Sequence, residues 1–218
     1  MRTVIAGGHG QIALRLERLL SARGDSVAGL IRNPAQADDL RGAGAEPVVL
    51  DLESATVDDV AAVLAGADAA VFAAGAGAGS GPDRKQTVDR DAAVLLADAA
   101  ERAGVRRYLI VSSMGADAHS TFKEPGFAAY LRAKGAADDA IRARTSLDWT
   151  VLRPGGLTND PGTGRVRLSA GHVDRGSIPR DDVAAVLVAL LDAPATAGLT
   201  LELVSGDTDI ATAVAQLA

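Results

Sequence analysis

The run Thr3-Val4-Ile5-Ala6 passes straight into Gly7-Gly8-His9-Gly10, and an amphipathic stretch begins at Gln11. No other feature of the chain narrows its fold so far. A strand that turns at once into a helix needs residues without side chains at the turn, and it needs further strands beside it. The glycines fit the spacing GxGxxA through Gly8, Gly10 and Ala13, and equally GxxGxxA through Gly7, Gly10 and Ala13. Either way the first glycine allows a tight turn and the second lets backbone approach a diphosphate. The small third residue lets helix and strand pack closely. The helix then aims its unpaired N–H groups and partial positive charge at the anion. No Gly-Lys-Ser or Gly-Lys-Thr follows, so the loop is not that of a P-loop triphosphatase. It predicts a dinucleotide held by Gly7, Gly8, His9, Gly10, Gln11 and Ile12.

Beyond residue 22 the same rhythm repeats. Short apolar runs at residues 26–31, 47–50, 69–73, 108–112, 148–152 and 200–204 follow the first at 3–6. Helical patterns lie between them. Residues 11–22 carry Ile12, Leu16, Leu19 and Leu20 on one face, and 83–103 carry Val88, Leu95, Leu96 and Ala99. Two more fall at 127–144 and 180–191. Gly24, Gly44, Gly66 and Gly104 each stand between a helical run and a strand, where a left-handed residue closes a helix. Strand and helix alternating without a linker predict one α/β domain over 1–218. It is a Rossmann-type, doubly wound parallel sheet with helices on both faces. Hydrophobic residues make up 48% but aromatics only 3%, and a core of Ala, Val and Leu suits close helix-on-sheet packing. Segments 74–82, 115–126 and 155–178 lack periodicity. Ligands in such sheets sit past the carboxyl ends of the strands, so stretches near 114–128 and 155–178 are expected to carry the substrate.

Charge and composition exclude several classes. With a net charge of −6 and Arg106-Arg107 as its dense basic pair, the chain lacks a phosphate-tracking face, and no nucleic-acid partner is expected. It has no cysteine, which removes disulfides, thiolate zinc sites and thiol catalysis. His9, His119 and His172 share no metal-site spacing, so no metal is expected either. No apolar stretch is long enough to span a membrane and no basic leader precedes the first strand. A soluble, cytoplasmic protein follows as the expectation. Its partner is a small-molecule substrate of unspecified structure, and monomer and homodimer both stay open.

The end of the second strand bears on which dinucleotide is bound. An NAD site places an acidic residue there, bonding the ribose hydroxyls; this chain has Ile31-Arg32-Asn33. A carboxylate would repel a 2′-phosphate, whereas a guanidinium binds it through charge-assisted hydrogen bonds. Arg32 therefore favours NADP(H), with NAD(H) as the lesser alternative. Asp51, just before Leu52, is placed to contact the adenine or to cap the following turn.

Tyr130-Leu131-Arg132-Ala133-Lys134 puts a phenol and an ammonium on one helix face. A nearby ammonium favours phenolate, which makes tyrosine a usable proton donor or acceptor for a carbonyl or alcohol. Ser112 and Ser113, at the end of the fifth strand, offer a hydroxyl to orient the reacting oxygen. Tyr130, Lys134 and Ser113 are the catalytic candidates, with Ser112 beside the cofactor.

At these residues the chain resembles the short-chain dehydrogenase/reductase superfamily, in its atypical epimerase/dehydratase-like and NmrA-like NAD(P)-binding branch. The resemblance covers nearly the whole chain. It rests on AGGHGQIA, on Arg32 in LIRNP, on Asp51-Leu52, on the loop from Ala73 to Gly77, and on VSSMGA, YLRAK, LDWTVLRPGGL and SIPRDDV. It implies that Ala73, Ala74 and Gly75 lie along the cofactor and that Lys134 bonds the nicotinamide ribose. Pro154 and Gly155 would pass near the nicotinamide, and Arg153 is a landmark of the family more than a catalytic group. Two departures stand out. Ser113 and Ser112 precede Tyr130 by 17 and 18 residues, a longer gap than in classical members. Relatives that act on nucleotide sugars carry an added substrate domain, which this chain lacks, so a large nucleotide sugar fits poorly. The leading expectation is an NADP(H)-dependent oxidoreductase of small carbonyls, alcohols or related acceptors. The alternatives are a non-catalytic NAD(P)H redox sensor of NmrA-like type and a flavin or tetrapyrrole reductase.

The remaining polar features have plainer readings. The pairs Asp38-Asp39, Asp58-Asp59 and Asp138-Asp139 fit helix starts or solvent faces. Trp149 reads as core packing, Asp181 as a helix cap, and His119 and His172 as loop residues.

Overall fold

The computed structural model describes residues 1–77 and 79–217. The chain begins with β1 (Arg2–Ala6), α1 (Gln11–Ala22), β2 (Ser26–Ile31), α2 (Ala37–Gly42), β3 (Glu46–Val49), α3 (Val57–Leu64) and β4 (Ala69–Phe72). The single turn α4 (Pro82–Arg84) runs through a π-helical stretch, Lys85–Asp91, into α5 (Ala92–Ala103). There follow β5 (Arg107–Val111), α6 (Pro125–Arg142), β6 (Asp148–Pro154), β7 (Gly156–Thr158), β8 (Arg165–Ser169) and β9 (Ser177–Pro179). The last elements are α7 (Arg180–Leu191), β10 (Leu199–Ser205), β11 (Thr208–Asp209) and α8 (Ile210–Ala215).

Nine strands form one sheet in the order β11-β8-β10-β6-β5-β4-β1-β2-β3, and β7 pairs with β9 separately. Strands β1 to β6 and β10 run parallel, while β8 is antiparallel to both β10 and β11. Side chains alternate across the sheet, as the period of two demands. Ile5, Val71, Leu109 and Leu152 face a core closed by Leu16 and Leu20 of α1 and by Val183, Leu187 and Leu190 of α7. Val4, Phe72, Ile110 and Val151 face a second core under α3, α5 and α6, where Ala93, Ala97 and Ala100 bring α5 close. The sheet is thus doubly wound, with helices on both faces. Trp149 packs against the second core, and the four helix-closing glycines adopt φ between 72° and 88°.

β1 hydrogen-bonds to β2 on one side and β4 on the other. From β1 the chain passes to α1 on one face of the sheet, and from β4 it passes to α5 on the other. A crevice therefore opens at their carboxyl ends.

Two expectations need correction. Residues 155–178 are not irregular throughout: β7, β8 and the start of β9 lie within them. β8 was hidden because only Val166 and Leu168 of Arg165–Ser169 are apolar, and its strand identity comes from distant pairing, with Leu168 beside Leu203 and Arg167 beside Val204. The helix over 83–103 is likewise not uniform. Its π-helical portion turns Lys85, Val88 and Asp89 inward together, and such segments recur at functional sites. α3 begins with a reciprocal cap between Thr56 and Asp59, which agrees with reading Asp58-Asp59 as a helix start.

Candidate dinucleotide and substrate cleft

The loop after β1 is shaped for contact with something flat against its backbone. Gly7 has φ +80°, and a Cβ there would lie 2.6 Å from Ala74 Cα. Gly8 N–H donates to Leu30 O at 2.9 Å, and Gly10 N–H closes the turn on Gly7 O at 2.8 Å. Gly10 caps α1 without a side-chain acceptor, so first-turn N–H groups of α1 remain for an outside anion. A Cβ on Gly10 would sit 3.0 Å from Gly7 O and crowd that anion position. The cradle fits a diphosphate.

On one side of this loop lies a cavity of about 290 Å³, lined by Gly7, His9, Arg32, Asp51, Leu52, Glu53 and Arg84 among others. His9 Nε2 pairs with Asp39 at 2.8 Å. Arg32 is exposed and approaches Glu53 at 3.4 Å, while Arg84 reaches the same carboxylate at 3.1 Å. The Thr87 hydroxyl donates to Glu53 at 2.7 Å. That bond first, and the two guanidinium groups after it, hold the Glu53 carboxyl below its ordinary value. Asp51 accepts the Glu53 N–H at 3.0 Å, so its carboxylate caps its own turn. Glu53, which the sequence reading passed over, is the acid that faces Arg32.

On the other side a larger cavity, about 790 Å³, contains Gln11, Ile12, Ala73, Ala74, Gly75, Lys85, Asp89, Ser112, Tyr130 and Lys134 in its walls. α6 brings Tyr130 and Lys134 to this one cavity, as their spacing predicts. Their environments differ. Lys134 is 3% exposed and donates to Val111 O at 3.1 Å and Ala74 O at 3.4 Å, with Asp89 Oδ1 3.3 Å away. Tyr130 is half-buried; Phe127 stacks on its ring at 5.8 Å, and the ammonium recorded over that ring, also at 5.8 Å, belongs to Lys85. Phe122 meets Phe127 edge-on at 4.9 Å.

Ser112 is buried and donates to Asp138 Oδ2 at 2.8 Å. Ser113 instead points its hydroxyl at Met114 O, 3.3 Å away, in an adjoining cavity of about 400 Å³ shared with Pro154, Gly155, Leu157 and Arg175. Ser112 and Tyr130 line both cavities.

Asp138 is not on a solvent face. It is fully buried and also accepts from Arg153 Nε at 2.8 Å, whereas Asp139 stays half out and pairs with Arg142. One turn beyond Lys134, Asp138 thus ties α6 to the ends of β5 and β6. Asp181 does not cap α7 through a side-chain bond; it pairs with Arg15 and accepts the Gly162 N–H at 3.3 Å, and Asp182 accepts Gly164 N–H at 2.8 Å.

Lys85, Asp89 and Glu17 went unremarked in the sequence. For the first two a signal existed: both fall on the apolar stripe traced through Val88, where a polar residue is out of place. Glu17 lies on the buried face of α1 beneath the phosphate loop, with Oε1 3.0 Å from a Cβ placed on Gly8. Neither of its oxygens has a hydrogen-bond partner among the described residues. Burial, opposed weakly by Arg18, pushes its carboxyl up to about 8.

The profile of a family described as NAD(P)H-binding matches residues 7–194. Over 218 residues the chain is 38% identical to the Bacillus subtilis (strain 168) protein named "Uncharacterized sugar epimerase YhfK", covering 100% of both chains. A Bacillus halodurans structure, provisionally described as an NAD-dependent epimerase/dehydratase, superposes with TM-score 0.90 at 37% identity and 99% coverage of each chain. ChuY, an anaerobillin reductase from Escherichia coli O157:H7, superposes with TM-score 0.80 at 26% identity, covering 96% of this chain and 99% of that one. Among the described residues no helix is long and apolar enough to cross a membrane.

Proposed function

This chain belongs to the NAD(P)H-binding family, and on that premise we propose that it is an NADP(H)-dependent oxidoreductase of a small carbonyl or related conjugated acceptor. The observation that carries the proposal is the shared cavity: the Tyr130 phenol, Lys134 and the open N-terminus of α1 line one space. Arg32 and Arg84 support the choice of NADP(H), because two guanidinium groups share the single Glu53 carboxylate at one end of the crevice and leave positive charge there for a 2′-phosphate. When bound, the cofactor supplies or accepts the hydride.

The roles of the chain's own groups follow from their contacts. Backbone N–H groups of the phosphate loop hold the diphosphate. Lys134 donates to two carbonyls and lies beside Asp89 without a hydrogen bond to it, so its third N–H is left for the nicotinamide ribose. Tyr130 gives its proton to the oxygen on which negative charge develops. Ser112 spends its hydrogen on Asp138, so it presents lone pairs to the cavity and accepts from a ligand donor. Ser113 serves an oxygen placed in the adjoining cavity.

A second reading, a flavin or tetrapyrrole reductase, draws support from the apolar wall of Phe127, Tyr130 and Leu157, which suits a wide flat acceptor. The similarity to ChuY is consistent with it. Parallel titrations with NADPH and NADH, followed by an NADPH-oxidation screen over carbonyls, quinones and flavins, test both readings. Tighter NADPH binding with turnover of one class is the expected result. No turnover, with clearly different affinities for NADP⁺ and NADPH, would replace the enzyme by a redox sensor.

A further inference from the structure

Two lysines are buried in the larger cavity, and only one of them is neutralised. Lys134 has two carbonyl oxygens and Asp89. Lys85, 9% exposed, has the Ser80 hydroxyl at 3.4 Å and the face of Tyr130. The acid one turn along its own helix, Asp89, is committed to Lys134 and to the Ala76 N–H at 3.2 Å. Among the described residues no carboxylate comes within 4.0 Å of Lys85 Nζ. An ammonium withdrawn from water without a counter-charge is costly unless a ligand supplies one.

The surroundings point the same way. Arg180 lines the same cavity and bonds the neutral Asn159 at 2.9 Å, and Arg175 lines the adjoining one. Besides Asp89 the acid in this wall is Glu124, whose carboxylate is turned onto the Gly126 and Phe127 N–H groups at the start of α6. A positive recess thus sits in a chain whose net charge is −6. Beside it Phe127 and Tyr130 are stacked on one another and line the cavity, an aromatic wall against which a flat ring can pack.

Resting on the oxidoreductase reading above, we propose that the substrate is a conjugated or aromatic carboxylic acid whose carboxylate is anchored by Lys85. The anchor holds the acid end against the π-helical stretch, and the ring or conjugated chain lies on the Phe127–Tyr130 wall. A charge-assisted bond of this kind gives roughly a tenfold to a hundredfold preference for acid over uncharged amide.

The test uses 2-naphthoate and 2-naphthamide as probes, titrated calorimetrically into the full chain with and without NADP⁺. Wild type is expected to bind the acid at least about tenfold more tightly. Lys85→Met should bring the ratio close to one, and Lys85→Arg should retain most of it. NADP⁺ affinity, measured separately in each variant, reports on the cofactor reading alone. Equal affinities for acid and amide in wild type, or a ratio unmoved by Lys85→Met, would overturn the anchor. Tighter binding of 2-naphthyl phosphate than of 2-naphthoate would overturn the carboxylate.

Discussion

At the Arg32 end the cleft measures about 290 Å³ and is walled by the glycine turn, the ends of β1 and β2, the turn after β3 and the loop after β4, with the side chains of Arg32, Glu53 and Arg84 at its mouth. At the Tyr130 end it measures about 790 Å³, and side chains from α6, the π-helical stretch, the segment after β6 and the start of α7 contribute to its walls. The first end is lined entirely from within residues 7–92. The second draws together residues as far apart as Gly10 and Arg180. A backbone cradle is generic to dinucleotides and tolerates little change. A side-chain wall is where one member of a family can differ from another, so the proposed function assigns chemistry and substrate choice to the larger half.

The largest effect expected from that division is on Tyr130. Tyr130→Phe should lower kcat by about 10²–10⁴-fold and leave NADPH affinity unchanged, as read by steady-state kinetics beside a fluorescence titration. Full turnover in the variant would remove the phenol from the chemistry.

Glu17 tests whether the support beneath the phosphate loop is dry. Its folded carboxyl lies at about 8 against an ordinary 4.5, so the native state holds the proton more tightly than the unfolded chain. The stabilisation is complete below the ordinary value and is lost as pH rises through about 8. Across that window stability should fall by roughly 1.4 kcal/mol per pH unit. Urea unfolding at a series of pH values should show this slope in wild type and a flatter one in Glu17→Gln. Parallel curves for the two proteins would mean that Glu17 is hydrated.

The smallest effect concerns selectivity. Arg32→Ala should weaken NADPH by about ten- to a hundredfold and leave NADH as it was, with Arg84→Ala adding to the loss. Equal weakening of both cofactors would return Arg32 to a general surface role.

The same contrast explains what was legible in the chain. Gly7, Gly10, Ala13 and Arg32 could be placed from sequence because a turn, a helix start and a strand end are local events. Tyr130 and Lys134 could be placed at one cavity because one helix carries both, but the ammonium over the Tyr130 ring comes from Lys85 on another element. Asp138 was misread because its partners Ser112 and Arg153 lie 26 and 15 residues away, and nothing in the pattern Ala136-Ala137-Asp138-Asp139 marks the first aspartate as the inward one. Glu53 looked like any acid in a turn until two arginines from separate elements converged on it. β8 escaped for a like reason: an edge strand with two apolar residues is specified by its partner more than by itself.

The π-helical stretch acts as a phase shifter in an otherwise regular helix. A segment with more than 3.6 residues per turn lets the chain before it and the chain after it keep separate angular settings. α5 can therefore seat its alanines on the sheet while Lys85 and Asp89, just upstream, face the cleft. Deleting one residue from Lys85–Asp91 would bring the two into step. The alanine face would stay where the core holds it, and the upstream turn would rotate by roughly 100°, carrying Lys85 out of the cleft. One residue of length, with no change of side-chain chemistry, would then decide whether this wall carries a cation.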